Sequence, residues 1–118
     1  MSWMKRLLAV IIIAVVAVCL TACQESNEAK YNRAGKLMTE GKYEEANSAF
    51  EDLNGYKDSA DKIIACQEAI KERDYQIAIN LMSEENYEDA YRIFNTIRGY
   101  RDADIQLKQA LKLQIENL

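Results

Sequence analysis

A segment of the chain occurs twice. Residues 31–58 align with residues 75–102 at a constant offset of 44 positions, and 12 of the 28 aligned pairs are identical. An internal repeat of this size is typical of proteins built from stacked helical units, each of which buries an apolar face against a neighbour. The identical residues are Tyr31, Ala34, Leu37, Met38, Glu40, Tyr43, Glu44, Ala46, Phe50, Gly55, Tyr56 and Asp58, which recur as Tyr75, Ala78, Leu81, Met82, Glu84, Tyr87, Glu88, Ala90, Phe94, Gly99, Tyr100 and Asp102.

The spacing within one unit predicts a pair of helices. Tyr31, Ala34, Leu37 and Met38 are three or four positions apart and so share one helical face. A turn is expected at residues 41–42, followed by a second helix from Tyr43. Its core face is expected to carry Ala46, Ala49, Phe50 and Leu53.

The end of each unit predicts a helix boundary. We expect Gly55 to close the second helix in a left-handed conformation, with Tyr56 folding back onto Phe50 in a Schellman-type contact. Asp58 and Ser59 are then expected to cap the next helix with their side-chain oxygens. The second copy repeats this pattern at Gly99, Tyr100, Phe94 and Asp102.

These residues resemble the tetratricopeptide repeat family, in which antiparallel helix pairs place small residues at close crossings and aromatic residues between the helices. Ala34, Tyr43, Ala46 and Phe50 fall at the family's spacing. The resemblance implies an all-α stack of short hairpins over residues 29–118 that binds proteins through a concave helical face. The period of 44 exceeds the roughly 34 residues usual for the family, which implies a lengthened helix between the units.

That connecting helix is expected to start at Ser59 and to bury Ile63, Cys66, Ile70, Ile77 and Leu81. The interval 59–83 contains neither glycine nor proline, so we expect one long helix, or two helices joined by a kink near Arg73 and Asp74. After Asp102, a last helix is expected to cap the stack, with Leu107, Ala110, Leu111 and Leu118 on its core side.

The N-terminus has the pattern of an export signal. Lys5 and Arg6 precede 14 residues, Leu7 to Leu20, that carry no charge. As a helix this run would extend only about 21 Å, short of a hydrocarbon core of about 30 Å. The basic N-terminal segment, the short apolar run and the small residues that follow it together predict a signal peptide over residues 1–22.

The sequence Leu20-Thr21-Ala22-Cys23 resembles the lipobox of bacterial lipoproteins. That resemblance implies cleavage before Cys23, acylation of the Cys23 thiol, and a lipidated tether over residues 23–28. The predicted location is the extracytoplasmic face of the cell membrane. Retention of residues 1–22 as an uncleaved anchor is the alternative, and in both cases the protein is held at the membrane.

Charge and cysteine content restrict the function classes. The chain has a formal charge of −4, and removal of Lys5 and Arg6 lowers it to −6, so we expect no nucleic-acid partner. With Cys19 removed and Cys23 acylated, Cys66 would be the one remaining thiol, which excludes an internal disulfide. We interpret Cys66 as a buried small apolar residue.

The sequence contains no recognisable catalytic set. It has no histidine, no Cys-x-x-Cys, no phosphate loop and no serine elbow, so we expect neither an enzyme nor a metal or cofactor site. The acidic pairs Asp58 with Asp61 and Asp102 with Asp104 lack the ligand count and loop length of a calcium site. Asp58 and Asp102 are interpreted as helix caps.

Six of the seven tyrosines are repeat pairs and are therefore interpreted as structural residues. The unpaired Tyr91, together with Leu113 and Ile115 outside the core stripe of the last helix, forms the candidate partner surface. The leading hypothesis is a lipid-anchored module that binds an envelope protein or peptide. The alternatives are a self-assembling structural lipoprotein and, at lower rank, a solute-binding or enzymatic envelope protein.

Overall fold

The computed structural model describes residues 2–11 and 25–118, and every element in these ranges is a helix or a turn. Residues 2–11 form helix α1, whose side chains are exposed. The repeat region contains α2 (Asn27–Thr39), α3 (Tyr43–Glu51), α4 (Ser59–Ser83), α5 (Tyr87–Thr96) and α6 (Ala103–Glu116). The predicted all-α class is therefore confirmed, and the described residues contain no helix long and apolar enough to cross a membrane.

Helix α2 begins earlier than the predicted domain boundary. Ser26 caps it by accepting a hydrogen bond from the Ala29 amide at 3.1 Å. Glu28, at the end of the predicted tether, therefore lies in the first helical turn. Cys23 and most of the predicted signal peptide lie outside the described residues.

The expected Schellman-type helix end occurs at a different glycine. Gly41 ends α2 with a φ of 77°, and the Lys42 amide donates to the carbonyl of Leu37 at 2.9 Å. Gly55 does not close α3, because that helix ends at Glu51 and Asp52 is its C-cap. Gly55 instead lies in the following turn with a φ of 84°, so the predicted role of Gly55 and Gly99 as C-caps is wrong.

The core consists of two clusters that share no residue. The first lies between α2, α3 and the N-terminal half of α4, and the second between the C-terminal half of α4, α5 and α6. Helix α4 is continuous over 25 residues, so the kinked alternative is wrong and this one helix joins the clusters. The buried residues are Ala34, Ala46, Phe50, Leu53 and Cys66 in the first, and Ala78, Ala90, Phe94, Ile97, Ala103, Leu107 and Ala110 in the second.

Helix α4 buries a different face in each half. Cys66 packs towards α3, whereas Ala78 packs towards α5, and the two apolar faces are rotated by roughly a third of a turn. Ile77 continues the first face beyond the reach of α3 and is 42% exposed. The prediction that Ile77 belongs to the core is therefore wrong, because a single stripe was assumed for a helix that changes partner.

Helix α6 is longer than the helix that covers it. Leu107 and Ala110 are buried against α5, but Leu111 is 42% and Leu118 100% exposed. Leu111 lies about 100° around the helix from the buried Ala110, and Leu118 lies beyond the end of α6 at Glu116. The predicted core positions of Leu111 and Leu118 are therefore wrong.

Candidate functional site

The repeat produces two equivalent clusters of aromatic and charged side chains, which we call aromatic–carboxylate clusters. The first contains Glu28, Tyr31, Tyr56, Lys57 and Asp58. The second contains the residues 44 positions later, Glu72, Tyr75, Tyr100, Arg101 and Asp102. The first cluster joins the start of α2, and the second the middle of α4, to the turn that ends the unit.

In the first cluster the Tyr31 ring contacts both Phe50 and Tyr56 edge-on, at centroid distances of 5.7 and 6.1 Å. The Tyr31 hydroxyl donates to a carboxylate oxygen of Asp58. Lys57 Nζ lies 5.1 Å from the Tyr31 ring centroid, a cation–π distance. Tyr31 is thus the central side chain, and Tyr56 packs on Tyr31 where contact with Phe50 was predicted.

Glu28 completes the first cluster on the α2 side. It accepts a hydrogen bond of 2.8 Å from the Tyr56 hydroxyl and forms a 2.6 Å ion pair with Lys57 Nζ. These two contacts lower the pKa of Glu28, the ion-paired hydrogen bond with Lys57 contributing most. The same hydrogen bond raises the pKa of Lys57, and the bond from Tyr56 to Glu28 raises the pKa of that tyrosine.

The second cluster reproduces this geometry with arginine in place of lysine. Tyr75 donates to Asp102 at 2.6 Å, and Tyr100 donates to Glu72 at 2.5 Å. Arg101 pairs with Glu72 at 2.6 Å and has its guanidinium carbon 5.2 Å from the Tyr75 ring centroid. The hydrogen bond from Tyr75 is the largest cause of the lowered pKa of Asp102, and the hydrogen bond from Tyr100 is the largest cause of the lowered pKa of Glu72.

The backbone of the turn explains how three consecutive side chains reach one helix. Gly55 and Lys57 both adopt left-handed conformations, at φ values of 84° and 51°, on either side of Tyr56. Gly99 and Arg101 repeat them at 81° and 47°. A left-handed conformation costs a residue with a Cβ about 1–2 kcal/mol, so the cluster contacts must offset strain at Lys57 and Arg101.

The predicted capping role of the aspartates is wrong. Asp58 and Asp102 occupy N-cap positions, but neither side chain bonds to a helix amide. Their carboxylates accept instead from Tyr31 and Tyr75, each 27 residues away in sequence. Ser59 is buried, and its hydroxyl donates to the Tyr56 carbonyl at 2.5 Å, so it supports the turn and does not cap the helix.

Sequence reasoning did not identify Glu28 and Glu72 as cluster residues. The signal was present, because they are identical residues at the same offset of 44, three positions before the first residue of the repeat as it was delimited. Tyr43 and Tyr87, predicted as packing residues, begin α3 and α5 and are half-buried. In the described residues neither ring pairs with another aromatic ring.

The candidate partner-surface residues do not form one patch. Tyr91 is half-buried and packs against the second core cluster. Leu113 is half-buried, whereas Ile115 is 59% exposed and lines a shallow groove on α6. Ile115 is therefore the most accessible of the three.

The remaining chemistry in the described part of the chain is limited. Cys66 is buried, and desolvation raises the pKa of its thiol, which disfavours the reactive thiolate. No group of three or more described acidic or cysteine side chains is positioned to hold a metal ion. The aromatic–carboxylate clusters connect turns to helices, and their polar atoms are already engaged with one another.

Comparisons with family models, curated proteins and solved structures find no match to this chain.

Proposed function

We propose that the chain is a lipid-anchored protein of the cell envelope whose helical region binds another protein at the extracytoplasmic face of the membrane. The anchor would be the acylated thiol of Cys23, at the end of the lipobox-like sequence. The observation that carries the binding role is the duplicated aromatic–carboxylate cluster. Two sets of matching side chains hold α2 and α4 to the turns that end their units, which provides a stiff scaffold.

We further propose that the two units are tetratricopeptide-like hairpins. Ala34 and Ala46 are buried in the first unit, and Ala78 and Ala90 in the second, as expected of small residues at close helix crossings. The difference from a regular stack is α4, which extends through both units and separates their cores. The tetratricopeptide resemblance implies binding through a concave helical face, and the exposed apolar residues of α6 offer a further surface for contact.

The anchor is tested by the mass of the mature N-terminus. We expect the chain isolated from membranes to begin at Cys23 and to carry a diacylglyceryl group, and a Cys23→Ala variant to lose that modification. An unmodified N-terminus at Met1 would show that residues 1–22 are retained as an anchor. A mature chain that begins elsewhere without lipid would contradict both forms of membrane attachment.

The binding role is tested by cross-linking in membranes at native expression. We expect a discrete cross-linked species that contains this chain and one other envelope protein. The second candidate is self-assembly, which the exposed apolar residues of α6 favour. Sedimentation of the purified chain distinguishes the two, since a monomer at micromolar concentration contradicts assembly and a tight dimer contradicts the primary proposal.

A further inference from the structure

Helix α6 carries an exposed apolar strip with basic residues beside it, which we call the α6 face. Leu111 and Ile115, at 42% and 59% exposure, lie one helical turn apart. Together with Lys108, Lys112 and Glu116 they line a shallow groove of about 370 Å³. No helix of the described residues covers this groove, since α6 packs chiefly on α5.

The repeat itself shows that the fold does not require apolar residues at these positions. Helix α4 packs on α3 as α6 packs on α5, and the buried Cys66 corresponds to the buried Ala110. The residues of α4 that correspond to Leu111 and Ile115 are Gln67 and Lys71. Polar side chains therefore suit this side of the helix, and the apolar pair on α6 needs another explanation.

The α6 face and the depression beside it carry three cations and two carboxylates, although the chain as a whole carries −4. Arg98 and Lys108 line the depression that adjoins the groove, together with Asp104 and Leu107. Within the described residues neither cation forms a salt bridge, whereas Lys112 pairs with Glu116 at 3.9 Å. Two cations without a carboxylate partner thus border an exposed apolar strip.

Arg98 and Lys108 have no carboxylate partner within the described residues, and this favours a partner that carries acidic side chains beside its apolar face.

We propose that the α6 face docks an amphipathic helical segment of a partner protein, with aliphatic residues over Leu111 and Ile115 and carboxylates towards Arg98 and Lys108. The inference rests on the proposed binding function and specifies its surface and its partner's chemistry. Helix-in-groove recognition of this type takes apolar residues from one face of the segment, and the flanking charges set its orientation.

The test uses the full chain in nanodiscs of zwitterionic lipid. The probe is a labelled helical peptide of about 16 residues, roughly four turns, with leucines on one face and glutamates on both flanks. A matched peptide has lysines in place of the glutamates. We expect saturable binding of the acidic peptide by fluorescence anisotropy, and binding at least about tenfold weaker for the basic peptide.

The decisive variant is Leu111→Gln with Ile115→Lys, because it installs the side chains that α4 already tolerates at the corresponding positions. We expect it to reduce affinity for the acidic peptide at least about tenfold, while Ile64→Lys, at an exposed isoleucine of α4, leaves affinity unchanged. Lys108→Glu, a surface charge reversal, is expected to weaken binding of the acidic peptide and to strengthen binding of the basic peptide.

Equal affinity of the double variant and the wild type for the acidic peptide would overturn the proposal. So would a tight dimer that the double variant converts to monomer, since a second copy would then be the occupant. If the membrane cross-link persists in the double variant, the binding function stands and the α6 assignment fails. Loss of the cross-link together with peptide binding supports both.

Discussion

The single residue on which each unit depends is the tyrosine at its first repeat position. Tyr31 and Tyr75 pack edge-on against a buried phenylalanine, support a cation above the ring, and donate a hydroxyl to an aspartate. One bond, from Tyr31 to Asp58, both raises the pKa of the tyrosine and lowers that of the aspartate. The same tyrosine therefore both packs against the core and holds the aspartate in its ionised form.

We expect stability to fall in acid. The carboxyl pKa values of Glu28, Glu72, Asp58 and Asp102 lie below their ordinary values of 4.5 and 3.8. A lowered folded-state pKa means that the unfolded chain binds protons first, so the stabilisation is present above the ordinary pKa and is lost as pH falls through the folded one. Urea unfolding between pH 7 and 3 measures this decrease.

The matched control is the double variant Tyr31→Phe and Tyr75→Phe, which keeps both rings and removes both hydroxyls. It should be less stable at neutral pH and should show a shallower decrease between pH 5 and 3. In alkali the sign is opposite. The pKa values of Tyr31 and Tyr75 are raised above 10.0, so the contribution of their hydroxyls is complete below that pH and is lost as pH rises through the folded value. An unchanged acid slope in the double variant would contradict the coupling.

Two corresponding turn positions give a second prediction at this scale. Gly41 and Glu85 are related by the repeat, and both are left-handed, at φ values of 77° and 60°. Because only glycine adopts this conformation without strain, Glu85→Gly should raise the free energy of unfolding by about 0.5–1 kcal/mol, and Gly41→Ala should lower it by about 1 kcal/mol. Thermal and urea unfolding measure both, and a stabilising Gly41→Ala would contradict the argument.

At the scale of helices, the sequence predicted the existence, order and type of the repeat-region helices more accurately than their contacts. The three-and-four spacing of Tyr31, Ala34 and Leu37 reports which side of one helix is apolar, and α2 buries that side. It does not report that α4 changes partner halfway, so Ile77 was assigned to the core. The bond between Tyr31 and Asp58 joins residues 27 apart, which local capping rules do not detect.

Helix α4 is also attached to α3 by an ion pair that the second unit lacks. Arg73 forms two hydrogen bonds with Glu44, of 3.1 and 2.6 Å, at the point where α4 leaves the first unit. The equivalent positions in the second unit are Glu88 and Asn117, and an asparagine cannot form such an ion pair. Arg73→Glu should place like charges together and lower the urea midpoint, and Glu44→Arg in that background should recover part of the loss. If the losses of stability in Arg73→Glu and Glu44→Arg add up to the loss in the double variant, the ion pair contributes nothing to stability.

Helix α2 contains a glycine that its fold does not require. Gly35 lies in mid-helix, and a Cβ built on it would meet no atom within 4 Å. Gly35→Ala should therefore stabilise the chain by about 0.5–1 kcal/mol through the lower entropy of the unfolded state. The same substitution at Gly41 is expected to have the opposite sign, so the pair separates helix propensity from turn geometry in one unfolding assay.

At the scale of the whole molecule, the two cores share no residue and α4 alone is common to both. Arrays with contacts chiefly between neighbours have stabilities that are sums of unit and interface terms, so one unit can open while the other stays folded. The two aromatic–carboxylate clusters match residue for residue except at Lys57 and Arg101, and each core has one fully buried phenylalanine, Phe50 or Phe94. The molecule thus contains its own matched control.

Phe50→Ala should remove about 3–5 kcal/mol from the first unit and leave the second protected. Native-state hydrogen exchange by mass spectrometry should then show loss of protection in α2, α3 and the N-terminal half of α4, with α5 and α6 unchanged. Phe94→Ala should give the mirror result. The physical reason is that each phenylalanine contacts only its own core cluster, so a cavity in one cluster removes no packing contact from the other. Equal loss of protection in all five helices of the repeat region would mean that α4 transmits the whole cost and that the two cores unfold as one cooperative unit.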